Sequence, residues 1–486
     1  MRTAILSNGL GLVALSSLLL AGCGGAAMPS NAPAAGATPG APVAYAESMA
    51  APAPAPEADA DGDAPAAPAP AEAPRAAGAS VAAHPPAPAS TGRPAPSGKA
   101  ARDEAPKEAP ARVAASGVRA GEWDDNANYR DFLSYIKQQE QLGIEKVDAS
   151  RRHFLVVEDK DGRGIPNCKV TVTDGQRTVA LKTAASGRAI LFPGAMGLAA
   201  GKLTASTTCA AQTATTATFD ASVADDAVKL RVGAARPVEK KPVIDVVFVL
   251  DTTGSMSEEI ASIKSTLEAV IDRMGPEAVI RVGLVEYKDR TDAFVTKVYP
   301  LTSDLKKLSG QIASIEAGGG GDTPEDVNAG LATAIDKMGW NDQATARLAF
   351  LVADAPPHLD YANEISYGES AKHAAEKGIK IFTISASGMD DLGQAVFRQV
   401  AQLTGGTNMF VLRGGAGPQS TGAGDAKSSC GGTHQNFSSG NLDQLITHKI
   451  ALEVASLSAD PMRIAGLGKD EDAKPCEDRI VLTIAR

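Results

Sequence analysis

Cysteine is scarce in this chain: five residues in 486, with no two in a C-x-x-C pair. That argues against a zinc ribbon or a thioredoxin-like redox site. Aromatic residues make up only 4% of the chain, and there are six histidines. No H-E-x-x-H, G-x-S-x-G or G-K-[ST] run occurs, so the signatures of a zinc peptidase, an α/β-hydrolase nucleophile and a phosphate loop are missing. Long basic runs are missing as well, and the formal net charge is −10; together these argue against nucleic acid as a main partner. The apolar stretch at 4–20 is too short and too weakly flanked for a membrane-spanning helix.

What is present is unevenly spread. Arg2 gives a short positive start, the apolar stretch follows, and "LAGC" runs from Leu20 to Cys23. This pattern resembles a bacterial lipoprotein signal, with residues 1–22 as signal peptide and Cys23 as the lipidated first residue of the mature chain. The resemblance implies membrane attachment by a lipid anchor, and Gly24 in place of an aspartate implies the outer membrane. An ordinary signal peptide with a coincidental cysteine is the alternative reading. Residues 23–115 are mostly Ala, Pro, Gly and acidic residues and hold more than half of the 30 prolines. So little apolar surface cannot offset ordering entropy, and the segment is expected to be a disordered linker. Fully extended as polyproline, such a linker reaches about 280 Å.

With Cys23 set aside, Cys168, Cys209, Cys430 and Cys476 form an even set, as an oxidising compartment would favour. Three pairings are open, and sequence position favours Cys168 with Cys209 and Cys430 with Cys476. Order is expected to begin in a short helical segment, 116–150. Tyr129, Phe132, Leu133 and Ile136 fall on one helix face there, and Gly143 is a natural stop. Residues 151–234 change period: "HFLVVED", "CKVTVTD", "TVALKT", "RAILF" and "VKLRV" read as short strands of a small antiparallel β-sandwich. The "SGRA" turn and the spacing after "DKDGRG" resemble transthyretin-like or carboxypeptidase-regulatory modules. "DKDGRG" has the opening of a calcium loop but no glutamate at loop position 12, so a turn is expected.

From 242 the pattern alternates. "VIDVVFVL", "VIRVGLVEY", "RLAFLVA" and "KIFTISA" are near-continuous apolar runs of strands covered on both faces. Helical patterns at 257–274, 303–316, 324–338, 367–378 and 391–404 separate them, and "AFVTKVYPL" at 293–301 suits an edge strand. The class is therefore α/β with a mostly parallel sheet. A Gly- and Ser-rich insertion at 413–432 and a C-terminal extension at 458–486 complete the chain.

The first of these runs continues into "DTTGSM", where small oxygen-bearing side chains crowd a strand end. They can cap a helix or hold a hard cation. With "GGGGDTPEDV" and "FLVADAPPH" further along, residues 242–457 resemble the von Willebrand factor A domain, nearest to hemicentin-like and bacterial members. The resemblance implies a Rossmann-like fold with a metal-ion-dependent adhesion site. Its cation would be Mg2+ or Mn2+, held by Asp251, Thr253, Ser255, Thr323 and Asp354, with Asp322 bonding a coordinated water. It also implies that the strands ending at Asp251 and Asp354 are neighbours. Asp289 and His358 are rim candidates, though a solvated charge and an ordinary loop histidine explain them as well; Met256 reads as packing.

The resulting expectation is a lipid-anchored envelope protein, not an enzyme, that captures a carboxylate of a protein partner through the cation. The β-sandwich would be a spacer or a second surface. A structural envelope protein with an empty metal site and a metal-assisted hydrolase are the competing readings.

Overall fold

Four runs with few polar residues form the centre of a large sheet. They are β9 (Val243–Asp251), β10 (Val279–Tyr287), β12 (Ala346–Ala353) and β13 (Ile379–Ser385). In the computed structural model they pair in parallel, with β9 between β10 and β12 and β13 beyond β12. Along β9, Val246, Phe248 and Leu250 enter one core while Val247 and Val249 enter the other. Side chains alternate across a strand, so a continuous apolar run requires cover on both sides. One face is covered by α2 (Ile260–Arg273), α3 (Leu305–Ala313) and α7 (Leu442–Ser456). The opposite face carries α4 (Val327–Lys337), α5 (Tyr367–Lys377) and α6 (Asp391–Thr404). The structure describes residues 118–209, 215–237, 241–274, 276, 278–321, 323–386, 388–411 and 438–471.

The sheet has eight strands, ordered β11-β10-β9-β12-β13-β14-β1-β15. β11 (Thr296–Thr302) is antiparallel to β10 and forms one edge, as its alternating pattern suggests. At the other side β14 (Asn408–Val411) runs parallel to β13. Beyond it lies β1 (Arg119–Trp123), antiparallel to both β14 and β15 (Ser438–Asn441). The sheet thus takes a strand from residues that the pattern alone assigned to a separate helical segment. β1 carries the close approach that admits it: a Cβ on Gly121 would stand 2.2 Å from the Phe410 ring, which stacks on Trp123 at 4.1 Å.

The expected helix follows as α1 (Tyr129–Gln138), with Tyr129 and Phe132 buried. Gly143, at φ 74°, ends the 3-10 turn after it. The fully buried Arg152 lies over the Tyr129 ring at 4.1 Å and makes two 2.9 Å hydrogen bonds to Asp225. A buried charge with its fork satisfied in this way is tolerated.

Seven short strands come next: β2 (Arg152–Glu158), β3 (Lys169–Thr173), β4 (Thr178–Lys182), β5 (Arg188–Leu191), β6 (Lys202–Thr207), β7 (Thr215–Asp220) and β8 (Asp225–Arg231). They make a four-stranded sheet, β4-β3-β6-β7, and a three-stranded one, β5-β2-β8. Residues from both share one apolar core, to which Ala375 of α5 contributes. The expected antiparallel arrangement needs correcting at one place: β2 and β8 are parallel. The chain crosses from one sheet to the other between β7 and β8, so no hairpin imposes an antiparallel return.

Cys168 and Cys209 are joined by a disulfide with Cα atoms 5.5 Å apart. The signal and linker readings at 1–115, Cys23, Cys430, Cys476, the 413–432 insertion and Asp322 lie outside the described residues. Among the described residues no helix is long and apolar enough to cross a membrane.

The bridge closes a loop of sequence separation 41. Replacing both Cys168 and Cys209 with serine should lower the stability of this two-sheet module by about 2–4 kcal/mol. Chemical denaturation followed by far-UV dichroism checks this.

Candidate cation site at the carboxyl ends of β9 and β12

Asp251 is the last residue of β9, and Asp354 follows the last residue of β12. The two strands are neighbours, and the helices that follow them, α2 and α5, lie on opposite faces. Chain direction therefore diverges there and leaves a crevice beyond the strand ends, the place where open α/β sheets receive ligands.

Asp251 is fully buried. Its Oδ1 accepts from the Thr253 backbone N–H at 2.9 Å and from the Thr253 hydroxyl at 2.7 Å. Its Oδ2 accepts from the buried Tyr287 hydroxyl at 3.2 Å. Ser255 is exposed and donates to Asp354 Oδ1 at 2.9 Å. Thr253 and Ser255 Oγ atoms lie 3.2 Å apart. Each hydroxyl has a carboxylate as well as the other hydroxyl as a hydrogen-bond partner. Two hydroxyl oxygens and two carboxylates thus lie within hydrogen-bond reach in one series, a crowding of oxygens that a hard cation would stabilise.

These contacts also decide against the capping reading. Thr253 stands at the N-cap of the 3-10 turn Gly254–Glu258, yet its side chain makes no cap bond there. Ser257 turns back onto the Gly254 carbonyl. Met256 is fully buried, as expected of a packing residue.

A strap of glycines holds the loop. Gly254 N–H donates to Gly319 O at 2.8 Å, and Gly318 N–H to Thr252 O at 3.0 Å. Gly320 has φ +67°, and a Cβ there would meet Glu325 Oε1 at 2.5 Å and Thr253 Cβ at 2.9 Å. Lys288, buried beside the site, donates to the carbonyls of Thr252 (2.6 Å) and Gly318 rather than to a carboxylate. The acids are thus left to one another. Burial, and then the charge of Asp354, push Asp251 from 3.8 up to about 7. Burial, and then the Asp251 charge, push Glu325 from 4.5 up to about 8. Burial also raises Asp354.

Thr323 is placed differently from the other four candidates. It is exposed, precedes a cis bond to Pro324, and takes no part in the hydrogen-bonded series Asp251–Thr253–Ser255–Asp354. The helix expected to start at 324 starts instead at Val327, because Asp326 caps it by accepting from Ala329 N–H at 2.9 Å. Among the described residues no three Asp, Glu, His or Cys side chains form a metal-binding group; the cluster consists of carboxylates with hydroxyls between them.

The rim candidates are not solvated. Asp289 is 2% exposed and accepts from the Tyr361 hydroxyl at 2.8 Å. His358 stacks on Tyr361 at 3.8 Å, with Nδ1 2.8 Å from Asp360 and Nε2 3.6 Å from Asp289. "DKDGRG" is a turn: the buried Asp159 accepts from the backbone N–H groups of Asp161, Arg163 and Arg236 and pairs with the Arg163 guanidinium.

Three residues at the site went unread. Tyr287 and Lys288 follow from the register, which sets Tyr287 beside Asp251. Glu325 stands two positions beyond Thr323 and carries no spacing signal of its own.

Residues 245–412 match the family model of the von Willebrand factor A domain. This segment is a von Willebrand factor A domain. The match takes in β9 to β14 and their helices, while β1, β15 and α7 lie outside it. The chain is also 29% identical over 122 residues to a putative ariadne-like RING finger protein of Acanthamoeba polyphaga mimivirus, across 25% of this chain and 12% of that one. It is 31% identical over 138 residues to an alpha-protein kinase of Dictyostelium discoideum, across 28% of this chain and 21% of that one. It thus spans about an eighth and a fifth of those proteins. Among solved structures, mussel byssus proximal thread matrix protein 1 aligns at 17% identity with a TM-score of 0.28, covering 35% of this chain and 41% of its own.

Both raised acids hold protons more firmly in the folded protein than in the unfolded chain. Folding therefore takes up protons between pH 3.8 and about 7 at Asp251, and between 4.5 and about 8 at Glu325. Where the folded state binds more protons, stability declines with pH. The melting temperature of the metal-free protein should fall from about pH 5 to about pH 8; a flat or rising profile in chelator would contradict this electrostatic picture.

Proposed function

We propose that the A domain binds Mg2+ or Mn2+ in the crevice between β9 and β12 and uses it to recognise a carboxylate on a partner protein. The observation that carries this reading is the paired hydroxyls of Thr253 and Ser255, 3.2 Å apart and bonded to Asp251 and Asp354 respectively. Oxygen donors of this kind suit a hard divalent ion, and magnesium in particular keeps positions for non-protein ligands. When bound, the ion supplies an electrophilic position that accepts a carboxylate oxygen. Asp251 and Asp354 supply compensating charge, and Ser255 and the half-buried Asp354 open the crevice to solvent. Thr323, exposed on the neighbouring loop, is a fifth donor in this reading.

Recognition is favoured over turnover because His358, on the loop after β12, is buried, stacked on Tyr361 and bonded to Asp360. The "LAGC" signal at Cys23 and the Pro-rich linker support a lipid-anchored protein of the cell envelope, at the outer membrane.

Calorimetric titration of the full chain with MgCl2 and MnCl2 is the direct test, and binding of neither ion would end the proposal. Asp354→Asn should weaken ion binding on the order of tenfold or more, about 1.4 kcal/mol. Thr323→Ala should weaken it less and leave the metal-free melting temperature unchanged, since it removes an exposed hydroxyl and no core volume. Retention of an envelope protein by the immobilised chain in Mg2+, and its release by chelator, reads the partner step.

A further inference from the structure

The backbone of Glu325 ties two loops together, and its side chain hydrogen-bonds Thr253 through one oxygen only. Its N–H donates to Pro356 O at 3.0 Å, and its carbonyl accepts from His358 N–H at 3.1 Å. Those two bonds tie the loop before α4 to the loop after β12 whatever the side chain is. Yet the residue is only 2% exposed, and burying a carboxylate is costly unless something compensates it. Oε1 packs over Gly320, where the lack of a Cβ makes room for it beside Thr253. Oε2 has no hydrogen-bond partner among the described residues.

With a cation beside it Glu325 would be ionised and could only accept, so whatever then satisfies Oε2 must bring a proton or positive charge. The basic side chains nearby are committed elsewhere. Lys288 is bonded to the carbonyls of Thr252 and Gly318. Arg290 is paired with Glu364, lies over the Tyr361 ring and approaches Asp326 at 3.6 Å.

Resting on the cation reading above, we propose that Glu325 is a third carboxylate of the cation site, its Oε2 accepting a hydrogen bond from a water held by the ion. Magnesium and manganese sites built from few protein oxygens keep coordinated waters, and groups that orient such ligands contribute about ten- to a hundredfold to metal affinity. The assignment also explains Gly320, since any side chain there would drive Glu325 away from Thr253. It sets three carboxylates, Asp251, Asp354 and Glu325, against one divalent charge.

Glu325→Gln tests this in the full chain, with Mn2+ affinity read by calorimetry and metal-free stability read by thermal melting. The expected result is Mn2+ binding weakened about tenfold or more, with a metal-free melting temperature equal to or above that of the unaltered protein, because the amide keeps the shape of the carboxyl and cannot ionise in its buried place. Unchanged Mn2+ affinity, or weaker binding accompanied by a lower metal-free melting temperature, overturns the assignment. If the unaltered protein binds no Mn2+, the cation reading falls with it. If the unaltered protein binds and the glutamine variant binds equally well, only the role of Glu325 falls.

Discussion

A buried carboxylate at the end of a buried strand is the constraint around which this molecule is arranged. Asp251 cannot reach water, and each of its oxygens is met by a hydroxyl or amide supplied by a different part of the fold. Thr253 serves one oxygen from the following turn, and Tyr287 serves the other from the neighbouring strand. Tyr287 can reach because Gly330 of α4 leaves room for its ring; a Cβ there would stand 2.7 Å from it. The glycine strap and Lys288 then fix the backbone of the turn. Unpaired buried polar groups are expensive, so Asp251 depends on these partners together.

Much of the A domain was legible from residues alone, because strands buried on two sides must be almost wholly apolar and helices buried on one side must be periodic. β9, β10, β12 and β13 announce themselves in that way, and the alternating β11 correctly marks an edge. The strands that escaped notice are short or chemically bland. β6 and β7, "KLTAST" and "TTATFD", rely on Thr and Ala, whose burial alternates without a strong apolar signal. β1 is five residues with a central glycine, and nothing in "RAGEW" says that its partners lie some 290–320 positions away.

The site shows the same division. Asp251, Thr253, Ser255 and Asp354 could be named because each stands at a strand end in a recognisable order, and hydrogen bonds connect them. Thr323 was named by the same order, yet its loop is shaped locally by a cis proline and by the Asp326 cap, which delays α4. Glu325, Tyr287 and Lys288 act through tertiary proximity, which spacing along the chain does not encode. Asp289 and His358 looked like surface loop residues because polar loops usually are solvated; here Tyr361 bonds to the first and stacks on the second.

The direction of β1 fixes how tension would travel. Arg119 pairs with Asn441, and Ala120 with Val411, so β1 begins at the sheet edge where β9 and β12 end. A pull entering at Val118 crosses β14 and β13 to reach Asp354 at the end of β12, and β12 as well to reach Asp251 at the end of β9. The two-sheet module leaves the chain after that route has been entered and rejoins it at β9, so it hangs beside the strained path as a branch. It therefore adds no length to the route from Val118 to the ends of β9 and β12.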